Sequence, residues 1–132
     1  MANVITYGTY DLFHIGHLRL LRRARELGGP EGTLTVVVSS DRFNWEEKHK
    51  KCVIPDVQRA EIVGALRCVD KVLFEESWEQ KRHDIISNKI DIFVMGDDWT
   101  GKFDFLKDLC QVVYLPRTPE ISSTEIKHQL GG

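Results

Sequence analysis

The residues of this chain best suited to chemistry are two histidines separated by an isoleucine and a glycine. They are His14 and His17, at the end of residues 8–17 (GTYDLFHIGH). Imidazole groups can donate hydrogen bonds to oxygens whose charge changes during a reaction. We therefore interpret the pair as groups that act on the phosphates of a bound nucleotide.

The segments on either side predict a strand, a tight turn and a helix. Val4–Tyr7 is an apolar, strand-like run, and leucine and alanine at helical spacing predict a helix over 17–28. A helix N-terminus favours anions because its first N–H groups are unpaired and the dipole is positive there. The structural alternative is that the histidines cap or pack the helix. A zinc site is less favoured, since no cysteine or further histidine is near in the sequence.

Strand-like and helix-like segments continue to alternate along the chain. Strand-like runs are Val4–Tyr7, Leu34–Val38, Val69–Phe74, Ile92–Met95 and Val112–Leu115, and helix-like stretches cover about 17–28, 57–67, 79–88 and 102–109. This order predicts an α/β fold, a Rossmann-like, doubly wound, five-stranded parallel sheet with helices on both faces. Such sheets bind ligands at the carboxyl ends of their strands. The first turn lacks Gly-x-Gly-x-x-Gly, which argues against an ordinary dinucleotide-binding domain.

The composition is that of one globular domain, which we assign to residues 1–132. Hydrophobic residues make up 42% and charged residues 29%, and the formal net charge of -2 gives no reason to expect a nucleic-acid partner. No apolar run approaches the ~20 residues that span a bilayer, so membrane insertion is not expected. The chain starts without the features of a secretion signal. Three widely spaced cysteines predict a reduced, cytoplasmic protein.

Three further polar segments follow predicted strands. Lys48–Lys51 (KHKK) is a basic cluster of the kind usually found in a solvated surface loop. Asp97 and Asp98 could cap a helix, contact a ribose or base, or ligate a metal. Residues 117–125 (RTPEISSTE) join an arginine, which can donate two hydrogen bonds at once, to a helix start. Hydroxyl groups there can cap the helix and also bind phosphates.

These motifs resemble the cytidylyltransferase branch of the nucleotidyltransferase superfamily. Residues 8–11 and 14–17 are similar to its first motif, and the likeness extends over almost the whole chain, through residues 78–81, 93–99, 101–108, 112–118 and 121–124. The segments around Trp78 and Trp99 resemble the members that act on sn-glycerol 3-phosphate. Glu120 stands where the family pattern has glycine, and Ser123 where it has threonine.

The resemblance implies a CTP site with catalytic roles for His14, His17, Lys50 and Arg117. The implied CTP-binding residues are Gly8, Thr9, Tyr10, His14, His17, Lys50, Asp98, Arg117, Thr118, Ile121, Ser122, Ser123 and Thr124. Lys48 and Lys81 would hold the acceptor phosphate. Arg67 would serve binding or a subunit interface, with a surface salt bridge as the alternative. No protein metal site is implied, and Mg²⁺ would arrive with CTP through the substrate phosphates.

The implied reaction joins CTP and sn-glycerol 3-phosphate to give CDP-glycerol and pyrophosphate, for teichoic acid or another surface glycopolymer. A phosphate monoester has a second pKa of ~6 and is mostly dianionic near pH 7, so it needs no general base. The alternatives are transfer to another phosphorylated polyol, amino alcohol or acid, adenylyl transfer from ATP, and an inactive nucleotide-binding protein. The resemblance also implies a homodimer.

Overall fold

In the computed structural model, residues 2–116 are described, and they form alternating strands and helices. The strands are β1 (Asn3–Gly8), β2 (Thr33–Ser39), β3 (Lys71–Glu75), β4 (Ile92–Gly96) and β5 (Gln111–Leu115). The α-helices are α1 (Ile15–Leu27), α2 (Asp41–Lys48), α3 (Asp56–Gly64) and α4 (Gln80–Ser87), and 3-10 turns cover Asp97–Trp99 and Asp104–Leu106. No helix within residues 2–116 has the length and apolar character needed to cross a bilayer.

The five strands form one parallel sheet in the order β3-β2-β1-β4-β5. From β1 the chain adds β2 and β3 on one side of β1. It then crosses to the other side of β1 and adds β4 and β5 there. The order therefore reverses between β1 and β4. In open α/β sheets the carboxyl ends of two such strands leave a crevice where ligands bind. The predicted fold class is confirmed.

Both faces of the sheet are covered because the strands are apolar on both sides. In β1, Val4 faces one core with Leu21 of α1 and Val63 of α3. Its neighbour Ile5 faces the opposite core with Ile85 of α4. The site at the strand ends is thus supported by packed helices on both sides of the sheet.

The segment 102–109 does not form the predicted α-helix. It folds as turns around a single 3-10 turn. Phe103 is 6% exposed and packs into the core of the α4 face. Its backbone N–H donates to the Tyr114 hydroxyl at 2.9 Å instead of to a helical carbonyl. A tertiary contact therefore overrides the local helical pattern.

Helix α2 is not among the predicted helices, because its sequence DRFNWEEK is mostly polar and shows no clear apolar spacing. A cap and two buried residues stabilise it. The Ser40 hydroxyl accepts a hydrogen bond from the Phe43 N–H at 3.0 Å, and Phe43 and Asn44 are fully buried. Lys48 is the last residue of this helix. The expectation of a loop at Lys48 is therefore wrong, although the basic residues after it do lie outside the helix.

Candidate active site

A cleft of about 830 Å³ lies over the carboxyl ends of the strands, at the reversal between β1 and β4. Every predicted site residue within 2–116 lines it: Gly8, Thr9, Tyr10, His14, His17, Lys48, Lys50, Lys81 and Asp98. The remaining predicted residues lie outside the described part of the chain: Arg117, Thr118, Ile121, Ser122, Ser123 and Thr124. Residue Glu120 is outside it as well.

The two histidines are held by backbone N–H groups at the start of α1. The Nδ1 atom of His14 accepts from the Gly16 N–H at 3.0 Å, and Nδ1 of His17 accepts from the His14 N–H at 3.2 Å. These bonds form a reciprocal capping box. With both Nδ1 atoms accepting, a neutral ring must carry its proton on Nε2. Nε2 of His14 is buried and has no hydrogen-bond partner among residues 2–116.

The histidines are capping residues and candidate donors at once, so the structural and functional interpretations hold together. Burial lowers the pKa of His14. Burial also lowers the pKa of His17, to about 4, helped by the neighbouring His14 and opposed by Asp11. Both rings are therefore neutral near pH 7. A neutral ring with its proton on Nε2 can donate a hydrogen bond to a phosphate oxygen and keep its proton.

The turn before the histidines has an unusual backbone. Tyr10 and Leu12 have φ of 56° and 50°, in the left-handed region that costs a non-glycine residue ~1–3 kcal/mol. The Tyr10 ring lies so close to Gly8 that a Cβ there would be 2.7 Å from its Cζ atom. Tyr10 is 5% exposed and meets His17 edge-on, with ring centroids 5.5 Å apart. The buried Tyr10 ring therefore packs against the His17 ring and helps to fix its position.

Lys48 projects from the end of α2 into the cleft. Its Nζ donates to the Ser39 hydroxyl at 3.3 Å and lies over the rings of Phe43 and Trp78, 5.2 and 5.5 Å from their centroids. Burial lowers the pKa of its ammonium group. A partly desolvated cation of this kind attracts an anion more strongly than a fully hydrated one.

Lys50 is exposed at the mouth of the cleft, but its backbone is fixed. The Lys50 N–H donates to the carbonyl of Asn44 at 3.0 Å. Further along, the buried carboxylate of Asp11 accepts the N–H groups of Val53 and Ile54 at 2.8 and 3.0 Å. The basic segment is thereby tied to the turn that carries the histidines.

Arg59 connects several parts of the site from inside the protein, and the sequence interpretation gave it no role there. It is completely buried, and its guanidinium donates to the carbonyls of Ile54, Thr9 and Ser39 at 2.8, 2.6 and 2.9 Å. It also pairs with Asp41 at 2.6 Å. One side chain thus joins the ends of β1 and β2 to the segment after Lys50. By contrast, Arg67 is exposed beyond the end of α3.

Lys81 lies almost wholly inside the protein, at 2% exposed. Its Nζ is 2.5 Å from Oε2 of Glu75, which is also 2% exposed. The rings of Tyr7 and Trp78 lie 4.8 Å from the same nitrogen, and that of Phe103 lies 5.4 Å away. Glu75 was not singled out in the sequence, although its place directly after the third strand-like run was the signal that could have found it.

Two predicted nucleotide contacts complete the described site. The Thr9 hydroxyl donates to Oδ1 of Asn44 at 3.3 Å. Asp98 is exposed in the 3-10 turn after β4, and its carboxylate folds back over Gly96, where a Cβ would be 2.8 Å from Oδ1. No group of three or more His, Cys, Asp or Glu side chains in residues 2–116 is placed to hold a metal ion.

Comparisons with known proteins identify the family to which this arrangement belongs. Residues 5–129 match the family described as cytidylyltransferase-like. Glycerol-3-phosphate cytidylyltransferases of Bacillus subtilis and Staphylococcus aureus are 54% and 52% identical, covering 100% of this chain and 99% and 97% of theirs. An FAD synthase of Korarchaeum cryptofilum is 30% identical over 93% of this chain and 87% of its own.

A solved structure has the same fold at low sequence identity. It is a lipopolysaccharide core biosynthesis protein from Thermoplasma volcanium GSS1, with a TM-score of 0.73 and 22% identity over 89% of this chain and 98% of that one. The fold, the paired histidines and the full-length matches agree. This chain therefore belongs to the cytidylyltransferase-like family.

Proposed function

We propose that this protein transfers a cytidylyl group from CTP to sn-glycerol 3-phosphate and releases pyrophosphate. The observation that carries the proposal is the buried Nε2 of His14, without a partner among residues 2–116, in the same cleft as Lys48 and Lys50. Such a site offers neutral donors and cations together, as two reacting polyanions require. Relatives that are 51–54% identical over nearly their whole length bear the name of this activity.

The reaction needs one bond made and one broken. A phosphate oxygen of the acceptor attacks the α-phosphorus of CTP and forms the new P–O–P bridge. The bond from the α-phosphorus to the bridging oxygen of the β-phosphate breaks, and pyrophosphate leaves with the electron pair. Because the acceptor phosphate is already mostly dianionic near neutral pH, no proton must be removed from it. Positioning and charge stabilisation therefore account for the acceleration.

His14 and His17 would donate from Nε2 to the phosphate oxygens of CTP around the α-phosphorus. A donor fixed in advance stabilises charge that develops in the transition state without reorganising. Lys50 would neutralise the triphosphate at the mouth of the cleft, together with Arg117 from outside the described residues. Lys48 would bind the acceptor phosphate. Lys81 lies in the same cleft and is more deeply buried than Lys48.

Mg²⁺ would enter this site on the phosphates of CTP. The ion prefers oxygen ligands, keeps several waters and is often bound through substrate phosphates. Asp98 is a carboxylate at the cleft that could accept from the hydration shell of such an ion or from the nucleotide. A homodimer and the use of the product for teichoic acid or another surface glycopolymer stay predictions.

The direct test is pyrophosphate release from CTP with a panel of phosphorylated acceptors. The panel contains sn-glycerol 3-phosphate, another polyol phosphate and a phosphorylated amino alcohol, and a parallel series replaces CTP with ATP. We expect release with CTP and glycerol 3-phosphate, and none without an acceptor. Preference for another acceptor would replace glycerol 3-phosphate as the proposed substrate. Preference for ATP would favour adenylyl transfer, the alternative reaction, and an FAD synthase is among the relatives of this chain. No release with any pair would reject the enzymatic proposal.

A further inference from the structure

The charge of Lys81 is already matched within the protein. Its Nζ forms an ion pair with Glu75 at 2.5 Å, and both side chains are almost completely buried. A phosphate placed on Lys81 would also face the Glu75 carboxylate, and like charges at close range in a poorly hydrated site repel strongly. Lys48 is different, because within residues 2–116 its ammonium group donates to a neutral hydroxyl, that of Ser39, and Glu75 lies on the far side of that hydroxyl.

Glu75 has hydrogen-bonding capacity that its neighbours do not use. Its carboxylate accepts from Lys81 and, at 3.3 Å, from the Ser39 hydroxyl, the side-chain donors to it among residues 2–116. An ionised carboxylate offers about four acceptor positions. Glu75 also lines the cleft. An uncharged ligand with hydroxyl groups could therefore donate to this carboxylate without displacing Lys81.

We propose that the Glu75–Lys81 pair selects the acceptor by its hydroxyl groups, while Lys48 holds the acceptor phosphate. This inference rests on the proposed function and names how the acceptor is distinguished. Glu75 accepts from the hydroxyls, and its ion pair with Lys81 orients the carboxylate. The rings of Tyr7 and Trp78 lie beside the pair, each 4.8 Å from the Lys81 nitrogen.

The spacing of the groups suits a short polyol phosphate. The hydroxyl of Ser39 lies 3.3 Å from Lys48 Nζ on one side and 3.3 Å from Glu75 Oε1 on the other. The phosphate-binding cation and the hydroxyl-binding carboxylate are thus separated by a single bridging hydroxyl. A three-carbon acceptor can reach both with its two ends. Hydrogen bonds to an ionised acceptor are about twice as strong as neutral ones, so the hydroxyls should decide which phosphate monoester binds.

The test compares sn-glycerol 3-phosphate with n-propyl phosphate, which keeps the phosphate and chain length but has no hydroxyls. Both are titrated into the full-length protein by calorimetry, and both are used in the pyrophosphate assay. We expect the wild type to prefer glycerol 3-phosphate by about 10- to 100-fold, and Glu75→Gln to lose most of this preference through weaker glycerol 3-phosphate binding. CTP affinity should stay within about threefold. Glu76→Gln, a change at an exposed neighbour, is the matched control and should keep the preference.

The double variant Glu75→Gln/Lys81→Met removes both charges and carries the test if Glu75→Gln alone fails to fold. Equal weakening of both phosphates, an unchanged preference, or a wild type with no preference would overturn the inference. Loss of CTP affinity in the variants would instead assign the pair to the nucleotide. Preference in binding without pyrophosphate release would leave the hydroxyl assignment standing and reject the proposed reaction, so the two failures are distinguishable.

Discussion

The imidazole rings of His14 and His17 stack with their centroids 3.9 Å apart, and the backbone N–H of His14 donates to Nδ1 of His17. Each ring is therefore oriented by the backbone of the helix start that it caps. Because Nδ1 accepts, the N–H of a neutral ring lies on its Nε2 edge. Capping and the proposed donation to phosphate use opposite edges of the same side chain, and a substitution can separate the two.

Replacing either histidine with alanine should lower turnover by about 10²-fold or more, as does loss of one fixed charge-stabilising donor elsewhere. Asparagine should separate the two roles, since its side-chain oxygen can take the capping place of Nδ1 but cannot reach as far as Nε2. We expect His14→Asn to be as inactive as His14→Ala but more stable to heat. The measurements are pyrophosphate release and thermal unfolding followed by circular dichroism. An asparagine variant with near wild-type turnover would remove that histidine from the mechanism.

The free energy of unfolding should fall as the pH is lowered from about 6.5 to about 4, in part because of His17. Burial holds the pKa of this residue near 4 in the folded protein, against 6.5 for an ordinary histidine. Between these values the unfolded chain binds more protons than the folded one, so acid favours unfolding. Urea unfolding at several pH values measures this dependence. For His17→Asn the free energy of unfolding should fall less steeply between pH 6.5 and 4, the range that we call the acid limb, than for the wild type.

The matched control for this pH dependence is His83→Asn, a change at an exposed residue of α4. It should leave the acid limb of the wild type unchanged. If His17→Asn and His83→Asn gave the same slope between pH 4 and 6.5, His17 would not be the buried neutral group that the structure describes.

Replacing Lys48 and replacing Lys50 should weaken the binding of different substrates. Lys48 lies inside the cleft against Ser39 and Trp78, whereas Lys50 lies exposed at its mouth. Lys48→Ala should raise the KM for glycerol 3-phosphate about tenfold or more and leave the Kd for CTP nearly unchanged, while Lys50→Ala should weaken CTP. Titration calorimetry with CTP and steady-state kinetics measure the two effects. Lys71→Ala, at the opposite end of β3, is the control. Equal loss of CTP affinity in both cleft variants would disprove the division.

The predictable part of the site is the part encoded by neighbouring residues. Strand, turn and helix around His14 and His17 are contiguous, so the residue pattern alone predicts their arrangement. The prediction of a helix over 102–109 was wrong because the structure there depends on a residue that is distant in the sequence. Phe103 is held by Tyr114, eleven residues further along the chain. Local apolar spacing carries no information about such a contact.

Burial of charge was equally hidden from the sequence. Lysine on a helix is usually exposed, and the burial of Lys81 depends on Glu75, six residues earlier at the end of a strand. The partners of Arg59 are further still, at sequence separations of 50 for Thr9 and 20 for Ser39. A signal did exist in α3, where Arg59 precedes the buried Val63 by one helical turn on the apolar side. A cation at such a place indicates a buried network.

Arg59→Met should lower the free energy of unfolding by about 3 kcal/mol or more, because methionine can fill part of the space but leaves buried carbonyls without donors. The free carbonyls would be those of Thr9, Ser39 and Ile54, which join both strand ends to the segment after Lys50. Looser attachment of that segment should also weaken CTP binding. Urea unfolding and CTP titration test both effects, with the exposed Arg67→Met as control, expected to change stability by less than ~0.5 kcal/mol. If the two variants were equally stable, Arg59 would not be the clamp of this site, that is, the residue that holds both strand ends to the segment after Lys50. If Arg59→Met were unstable but bound CTP normally, the clamp would serve the fold alone.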